Sequence, residues 1–220
     1  MGLKSMRWLS FGAPCFVLLA GCASPSVDVT QSEPNGQSIT DETLAPGNAT
    51  AIFAMGCFWC AEADFEKLAG VTAVISGYTG GDLENPTYRQ VTFGETGHYE
   101  AVLVTYDTAK ISYDDLLDTF WENIDPFDAN GQFCDKGTSY RAAIFPQTEA
   151  EIESANKSKE ERTKELQEEP VTPILPRAAF YNAEEYHQDY YKKNPIRYRL
   201  YRSRCGRDAR LEQVWAVTTD

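Results

Sequence analysis

Residues 54–60 read Ala-Met-Gly-Cys-Phe-Trp-Cys, and the thiols of Cys57 and Cys60 are the most reactive groups that the sequence sets close together. Three chemistries use such a pair. A single thiolate can act as a nucleophile, two thiols can exchange with a disulfide, and two can share a metal. Zinc requires four ligands. The chain has two histidines, His98 and His187, and neither stands at paired spacing from another ligand, so no metal is expected. Direct thiol–disulfide exchange by the Cys-x-x-Cys pair stays open. Against it, two bulky aromatics separate the cysteines and no cis-proline strand is recognisable downstream. Phe58 and Trp59 can instead form an apolar pocket over a nucleophilic Cys57, suited to a methyl group beside a polarised centre.

The elements around this stretch must hold it. Residues 50–55 are small and apolar and predict a buried strand entering Gly56, where the backbone can turn tightly. Residues 59–68 have a helical apolar period ending near Gly70. A helix opening at Cys57 predicts a lowered thiol pKa, through its free N–H groups and dipole. Residues 71–78 and 99–106 predict strands. Residues 113–124 predict an amphipathic helix with Ser112 as N-cap, and 141–145 predict another strand. A charged, solvated helix follows at 149–169, then an aromatic segment from about Phe180. The order β-α-β-β-α-β predicts an α+β fold: a ferredoxin-like split βαβ core, an α/β sandwich, with long loops and an irregular C-terminal tail.

The first residues read as an export signal. Lys4 and Arg7 precede an apolar run at 8–20, too short for a membrane span of about 20 residues. The run ends Leu19-Ala20-Gly21-Cys22, which resembles a bacterial lipobox; that resemblance implies cleavage before Cys22 and lipidation of its thiol. Residues 1–21 are then a lipoprotein signal peptide, 22–50 a lipidated flexible linker rich in Ser, Pro, Thr and Asn, and 51–220 one domain. The expected location is the cell envelope, anchored to a membrane and facing the periplasm or exterior. Ala23 lacks the aspartate associated with inner-membrane retention, which favours the outer membrane in a cell with two. The formal charge of −13 becomes −15 without Lys4 and Arg7. So acidic a chain gains nothing from phosphate backbones, and nucleic acid is excluded as a partner. Removing Cys15 and Cys22 from the six cysteines leaves Cys57, Cys60, Cys134 and Cys205. In an exported chain two structural disulfides are the default for these four.

Gly56-Cys57-Phe58-Trp59 resembles the signature of the peptide methionine sulfoxide reductase A family. Further blocks resemble that family's in the same order: Gly77-Tyr78-Thr79-Gly80-Gly81, Asn85-Pro86-Thr87-Tyr88-Arg89 and Thr96-Gly97-His98-Tyr99-Glu100. They continue with Phe120-Trp121-Glu122-Asn123, Asp125-Pro126, residues Asp135 to Arg141, and Tyr186-His187-Gln188-Asp189-Tyr190. The resemblance spans about 51–194. It implies thiol-dependent reduction of methionine-S-sulfoxide, free or within proteins, by a monomer with no bound cofactor. Cys57 is then the nucleophile and becomes a sulfenic acid. Glu100 is the proton donor, which requires burial to raise its pKa. Tyr88 and Tyr140 donate hydroxyls to the sulfoxide oxygen, Phe58 and Trp59 cage the methyl, and Asp135 helps arrange the pocket. An external thioredoxin-type dithiol reduces the resulting disulfide. His98 and His187 are read as structural.

Two features depart from the family. Many members have glycine at the position of Cys60, and the tail carries one cysteine rather than a glycine-rich pair. Three residues can therefore resolve the sulfenic acid. Cys60 lies on the helix that Cys57 opens, and helical i,i+3 neighbours stand about 5–6 Å apart, beyond disulfide spacing. Cys134 lies in a loop beside Asp135. Cys205 lies in a basic, tyrosine-rich tail whose mobility would bring it to Cys57, with Arg202, Arg204 and Arg207 favouring its thiolate. Cys205 is the expected first resolver. The competing classes are a Cys57–Cys60 thiol–disulfide oxidoreductase and a non-enzymatic lipoprotein that binds methionine-bearing peptides. The presence of Cys57, Tyr88, Glu100 and Tyr140 together opposes the second.

Overall fold

The computed structural model describes residues 44–216, together with Gly2. The signal peptide read at 1–21 (Gly2 apart), Cys22, read as the lipidation site, and the linker up to residue 43 lie outside the described residues.

Six elements form the predicted core: β1 (Asn48–Met55), α1 (Phe58–Phe65), β2 (Val71–Thr79), β3 (Tyr99–Asp107), α3 (Tyr113–Glu122) and β6 (Ala142–Phe145). Strand β1 starts at Asn48, so the last residues read as linker already lie in the sheet. Among shorter elements are α2 (Tyr88–Phe93), the β4–β5 ribbon (Gly131–Gln132 and Asp135–Lys136) and β7 (Phe180–Asn182). The sheet order is β6-β1-β3-β2-β7, with antiparallel neighbours throughout. Strands β1 and β2 are thus parallel with β3 between them, and β3 and β6 are parallel around β1. This is the expected split βαβ arrangement, with β7 added at one edge.

Strand alternation builds two apolar faces. Ala51, Phe53, Met55, Val102 and Val104 point to the α1 and α3 side, with Phe65, Leu116, Leu117, Phe120 and Trp121. Ile52, Ala54, Ala101, Leu103, Ala143 and Phe145 point to the other side, where Phe180 covers them. The period-2 rule puts Glu100 on the α1 face with Val102 and Val104. Because β3 runs antiparallel to β1, its start lies beside the end of β1, and Glu100 comes to the start of α1.

The charged helix forms as α4 (Glu149–Leu166), its few buried residues including Ala155 and Ser158. The tail departs from expectation. It forms α5 (Tyr190–Lys193), α6 (Pro195–Arg204) and α7 (Arg207–Trp215) rather than an irregular segment. Pro195 is preset for the first helical turn. Arg202 Nη1 then donates to both Asp64 oxygens, at 3.0 and 2.9 Å, fastening α6 to α1. Tyr198 packs on Cys60 and Ala63 from the same side.

Candidate active site

Cys57 is the N-cap of α1, with φ −56° and ψ 117°, so it is not yet helical. Gly56 turns the chain into it at φ +80°, where a Cβ would stand 2.5 Å from the Gln132 Cβ. Gln132 cannot readily yield. Its buried amide accepts from the Asp125 N–H at 2.8 Å and donates to the Asp125 carbonyl at 2.9 Å.

The helix start serves a different group from the one expected. The Phe58 N–H, the first of α1, donates to Glu100 Oε2 at 3.1 Å. Cys57 is 5 % exposed and Cys60 2 %. Burial pushes the Cys57 thiol well up, with Cys60 and Glu100 adding to it, while Tyr201 pulls it back. The expected lowering by the helix dipole is thus overturned, because dehydration of the sulfur outweighs it. Cys60 is held down at about 7, chiefly by its hydrogen bond with Cys57; burial opposes this, and Arg207 and Arg202 support it.

Glu100 is 1 % exposed. Burial raises its pKa to about 8, although the Phe58 N–H and the Tyr140 hydroxyl both favour the carboxylate. At neutral pH it is mainly the protonated acid, as the proton-donor role requires. Tyr88 opens α2, behind a Thr87–Gln90 capping box. Tyr140 ends the short 3₁₀ turn Thr138–Tyr140. Their hydroxyls are hydrogen-bonded to each other, and burial pushes both pKa values up, so both remain donors. A cavity of about 100 Å³ is lined by Cys57, Phe58, Trp59, Tyr88, Glu100, Asp135, Tyr140 and Tyr201. Every catalytic or pocket residue read from the sequence lines it; Tyr201 is the addition.

Tyr201, on α6, donates to Asp135 Oδ2, and its hydroxyl also reaches the Cys57 sulfur. Its ring meets Trp59 edge-on, with centroids 5.8 Å apart. Trp59 is fixed on other sides as well. Tyr190 stacks on it at 3.7 Å, and its indole N–H donates to His187 Nδ1 at 3.1 Å. Burial takes His187 down to about 4, so it is neutral and accepts that bond. Glu184 accepts from the Tyr88 N–H and the Tyr78 hydroxyl, both at 2.9 Å. Arg207, buried on α7, donates to the Asn123 carbonyl at 2.6 Å and lies over the Phe133 ring at 4.4 Å. Tyr201 and Glu184 were missed in the sequence, and Arg207 was read only as a neighbour of Cys205. Tyr198, Tyr201 and Cys205 are spaced i, i+3, i+7, one face of a helix, and that period was the available signal. His98 is structural as read: it accepts from the Gly81 N–H at 3.2 Å and bonds the Leu83 carbonyl at 2.8 Å.

The expected meeting of Cys57 with Cys205 is not the observed pairing. Cys134 and Cys205 form a disulfide, Cα–Cα 4.9 Å, while Cys57 and Cys60 are free thiols. Cys205 caps α6, and a helix fastened by Arg202 does not swing as a mobile tail would. The geometric objection to Cys60 also fails, because the helical i,i+3 spacing does not apply from a non-helical N-cap.

Among the described residues, two groups bring possible metal ligands together. In the first, Cys134 and Cys205 beside Asp135 already share a disulfide. In the second, Glu62, Glu66 and Asp189, Lys192 supplies the cation, 2.6 Å from Glu66 and 2.7 Å from Asp189.

The arrangement offers a sulfur nucleophile, a protonated carboxyl and two phenol donors in one small aromatic cavity. That constellation suits removal of oxygen from a sulfoxide. Comparison with known proteins agrees. The peptide methionine sulfoxide reductase family profile matches residues 49–219. Peptide methionine sulfoxide reductase MsrA 2 of Caulobacter vibrioides is 56% identical over 172 residues, covering 78% of this chain and 87% of that protein. Peptide methionine sulfoxide reductase MsrA of Halalkalibacterium halodurans is 47% identical, covering 75% and 95%. The crystal structure of reduced Mxr1 from Saccharomyces cerevisiae superposes with a TM-score of 0.67 at 32% identity, covering 73% of this chain and 94% of that one. The chain belongs to the peptide methionine sulfoxide reductase MsrA family and is an enzyme of that class.

Proposed function

We propose that this enzyme reduces methionine-S-sulfoxide, free and in proteins, and repairs oxidised proteins of the cell envelope. The observation that carries the chemistry is the single cavity shared by Cys57, Glu100, Tyr88 and Tyr140. The sulfoxide oxygen lies toward the Glu100 carboxyl and the two phenols, and the methyl toward Phe58 and Trp59. Glu100 gives its proton to the oxygen as Cys57 attacks sulfur. Cys57 thiol and sulfoxide thereby become methionine and Cys57 sulfenic acid. Cys60 then attacks the Cys57 sulfur, giving a Cys57–Cys60 disulfide and water. A thioredoxin-type dithiol supplies the two electrons that restore the thiols.

A handed cavity discriminates epimers, and this gives the test. Full-chain protein with dithiothreitol is expected to consume methionine-S-sulfoxide and leave the R epimer essentially untouched. Equal rates on both epimers refute the reading. Direct reduction of protein disulfides by Cys57 and Cys60 is disfavoured by their burial; it predicts reduction of insulin disulfides that is indifferent to Glu100.

The envelope location rests on the lipobox-like Leu19-Ala20-Gly21-Cys22. Cys22→Ser is expected to release the protein from membranes with turnover intact. Unchanged membrane association would remove the lipid anchor from the proposal.

A further inference from the structure

We propose that the groove along α6, lined by Cys134, Arg197, Leu200, Tyr201, Arg204 and Cys205, holds the polypeptide on one side of the oxidised methionine and prefers segments that join an apolar side chain to acidic ones. The proposal rests on the reading of the Cys57 cavity as the methionine sulfoxide site, and it names the protein substrates that site favours.

The first argument is continuity. The cavity at Cys57 has about 100 Å³, room for one side chain, so the rest of a protein substrate must lie outside it. Cys57, Phe58 and Glu100 are its buried floor, and Trp59, Tyr88, Asp135, Tyr140 and Tyr201 are its half-buried rim. Tyr201 also lines the groove, which has about 410 Å³. Asp135 adjoins the groove through Cys134, its neighbour in the chain. A polypeptide leaving the cavity over this part of the rim therefore enters the groove directly.

The second argument is the chemistry of the lining. Leu200, Tyr201 and the Cys134–Cys205 disulfide give the groove apolar surface. Leu200 is 52 % exposed, and Ile196, one turn before it, is 69 % exposed. Two arginines flank this surface. Arg197 stands one helical turn before Tyr201 and Arg204 nearly one turn after it, so the three share a face of α6. Both arginines are exposed, and neither has an ion pair or hydrogen bond among the described residues. The carboxylates nearby are taken: Asp208 accepts from Arg202 Nε at 2.9 Å, and Asp135 accepts from the Tyr201 hydroxyl. On a chain of formal charge −13, these two uncompensated guanidinium groups reverse the local sign. Their forked N–H donors suit carboxylates.

The third argument is spacing. Arg197 and Arg204 lie seven residues apart on α6, about 10 Å along the axis. An extended polypeptide covers that distance in roughly three residues. Acidic residues a few positions from the methionine sulfoxide, with an apolar residue between them, match the two arginines and the apolar surface.

The test compares three ligands: N-acetyl-methionine-S-sulfoxide amide, a peptide with Glu-Leu-Glu beside the S-sulfoxide, and the same peptide with Lys-Leu-Lys. Full-chain Cys57→Ser is titrated with each and no reductant, so that nothing turns over and the Cys134–Cys205 bond is kept. The acidic peptide is expected to bind more tightly than the basic one by roughly 2- to 30-fold, the range for two exposed ion pairs, and added salt is expected to shrink that ratio. Adding Arg197→Glu/Arg204→Glu is expected to invert the preference and leave the small ligand's affinity unchanged. Adding Leu200→Ser is expected to weaken both peptides and spare the small ligand. Equal affinity for the two peptides overturns the proposal, and the comparison needs neither added substitution. A preference that survives charge reversal also overturns it. So does a reversal that, with Cys57 restored, only slows turnover driven by a protein dithiol, which would assign the groove to the reductant. Failure of all three ligands to bind would overturn the reading of the Cys57 cavity itself.

Discussion

The two cysteine pairs of this enzyme sit in different solvents. Cys57 faces an aromatic cavity where its burial makes a bare thiolate costly, and Cys60 is buried beside it against Ala63 and Tyr198. Cys134 and Cys205 lie at an open groove lined by arginines. Burial serves the first pair by excluding water from the sulfenic acid and by keeping Glu100 protonated. Those same walls bar a protein reductant. Exposure gives the second pair the access that the first lacks, but places it beyond the acid and the phenols. Reaction and access thus make opposite demands on a sulfur, and the two pairs stand at opposite ends of that range.

The sharpest way to break this comparison is to remove one sulfur of the inner pair at a time. Cys57→Ser is expected to abolish methionine release. Cys60→Ser is expected to release one methionine per chain and then hold Cys57 as a sulfenic acid, detectable by trapping and mass analysis. If Cys60→Ser, without reductant, quickly forms a Cys57–Cys205 or Cys57–Cys134 disulfide, the outer pair resolves directly and the division of labour is wrong.

The next largest effect is at Glu100. Glu100→Gln keeps the shape and removes the transferable proton, for an expected loss of about 10²- to 10⁴-fold in single-turnover methionine release. In the wild type that rate is expected to fall as pH rises through about 8, the value to which burial lifts this carboxyl. Stability follows the same ionisation. A raised carboxyl value favours the protonated form in the folded chain, so the contribution is complete below the ordinary value of 4.5 and is lost as pH climbs to about 8. Glu100→Gln escapes that loss. Its Tm advantage over wild type is expected to widen between those limits, by on the order of a few kcal/mol in stability. An activity profile flat through pH 8, or a Tm gap independent of pH, would mean that Glu100 is not the buried acid.

How much of this was legible in the sequence depended on where each residue's environment came from. Period-2 and period-3.6 patterns carried the core strands, α1 and α3, because one buried face dictates each pattern. The motifs placed Cys57, Tyr88, Glu100, Asp135 and Tyr140 in one site, and the structure lines one cavity with them. Position along a helix suggested an activated Cys57, but the pKa of a sulfur depends on every wall around it, and those walls come from β3, the 3₁₀ turn and α6. The tail failed for a similar reason. Residues 195–204 hold few apolar side chains, so they read as an irregular segment. Their helix is held by Arg202 on Asp64, a partner 138 residues away. Only the i, i+3, i+7 spacing of Tyr198, Tyr201 and Cys205 hinted at a buried face. Reading the tail as an irregular, mobile segment is what made Cys205 the expected first resolver.

The smallest and most discriminating change is at Tyr201, the side chain that touches both regions. Tyr201→Phe keeps the ring against Trp59 and removes the hydroxyl that bonds Asp135 and reaches Cys57. A lost hydrogen bond is worth about 0.5–1.5 kcal/mol, which is roughly a 2- to 12-fold change in rate. Asp135 is also affected, because the Tyr201 hydroxyl opposes the upward push of its burial. If Tyr201 only lined the pocket, methionine release in a single turnover and turnover driven by an external dithiol would slow by the same factor. If it also aligns the ribbon carrying Cys134 with the helix carrying Cys205, turnover driven by an external dithiol slows more than the single turnover. Rapid quenching of one turnover and a steady-state assay with the dithiol separate the two rates. Equal slowing would confine Tyr201 to the inner site and leave the two pairs without a shared side chain.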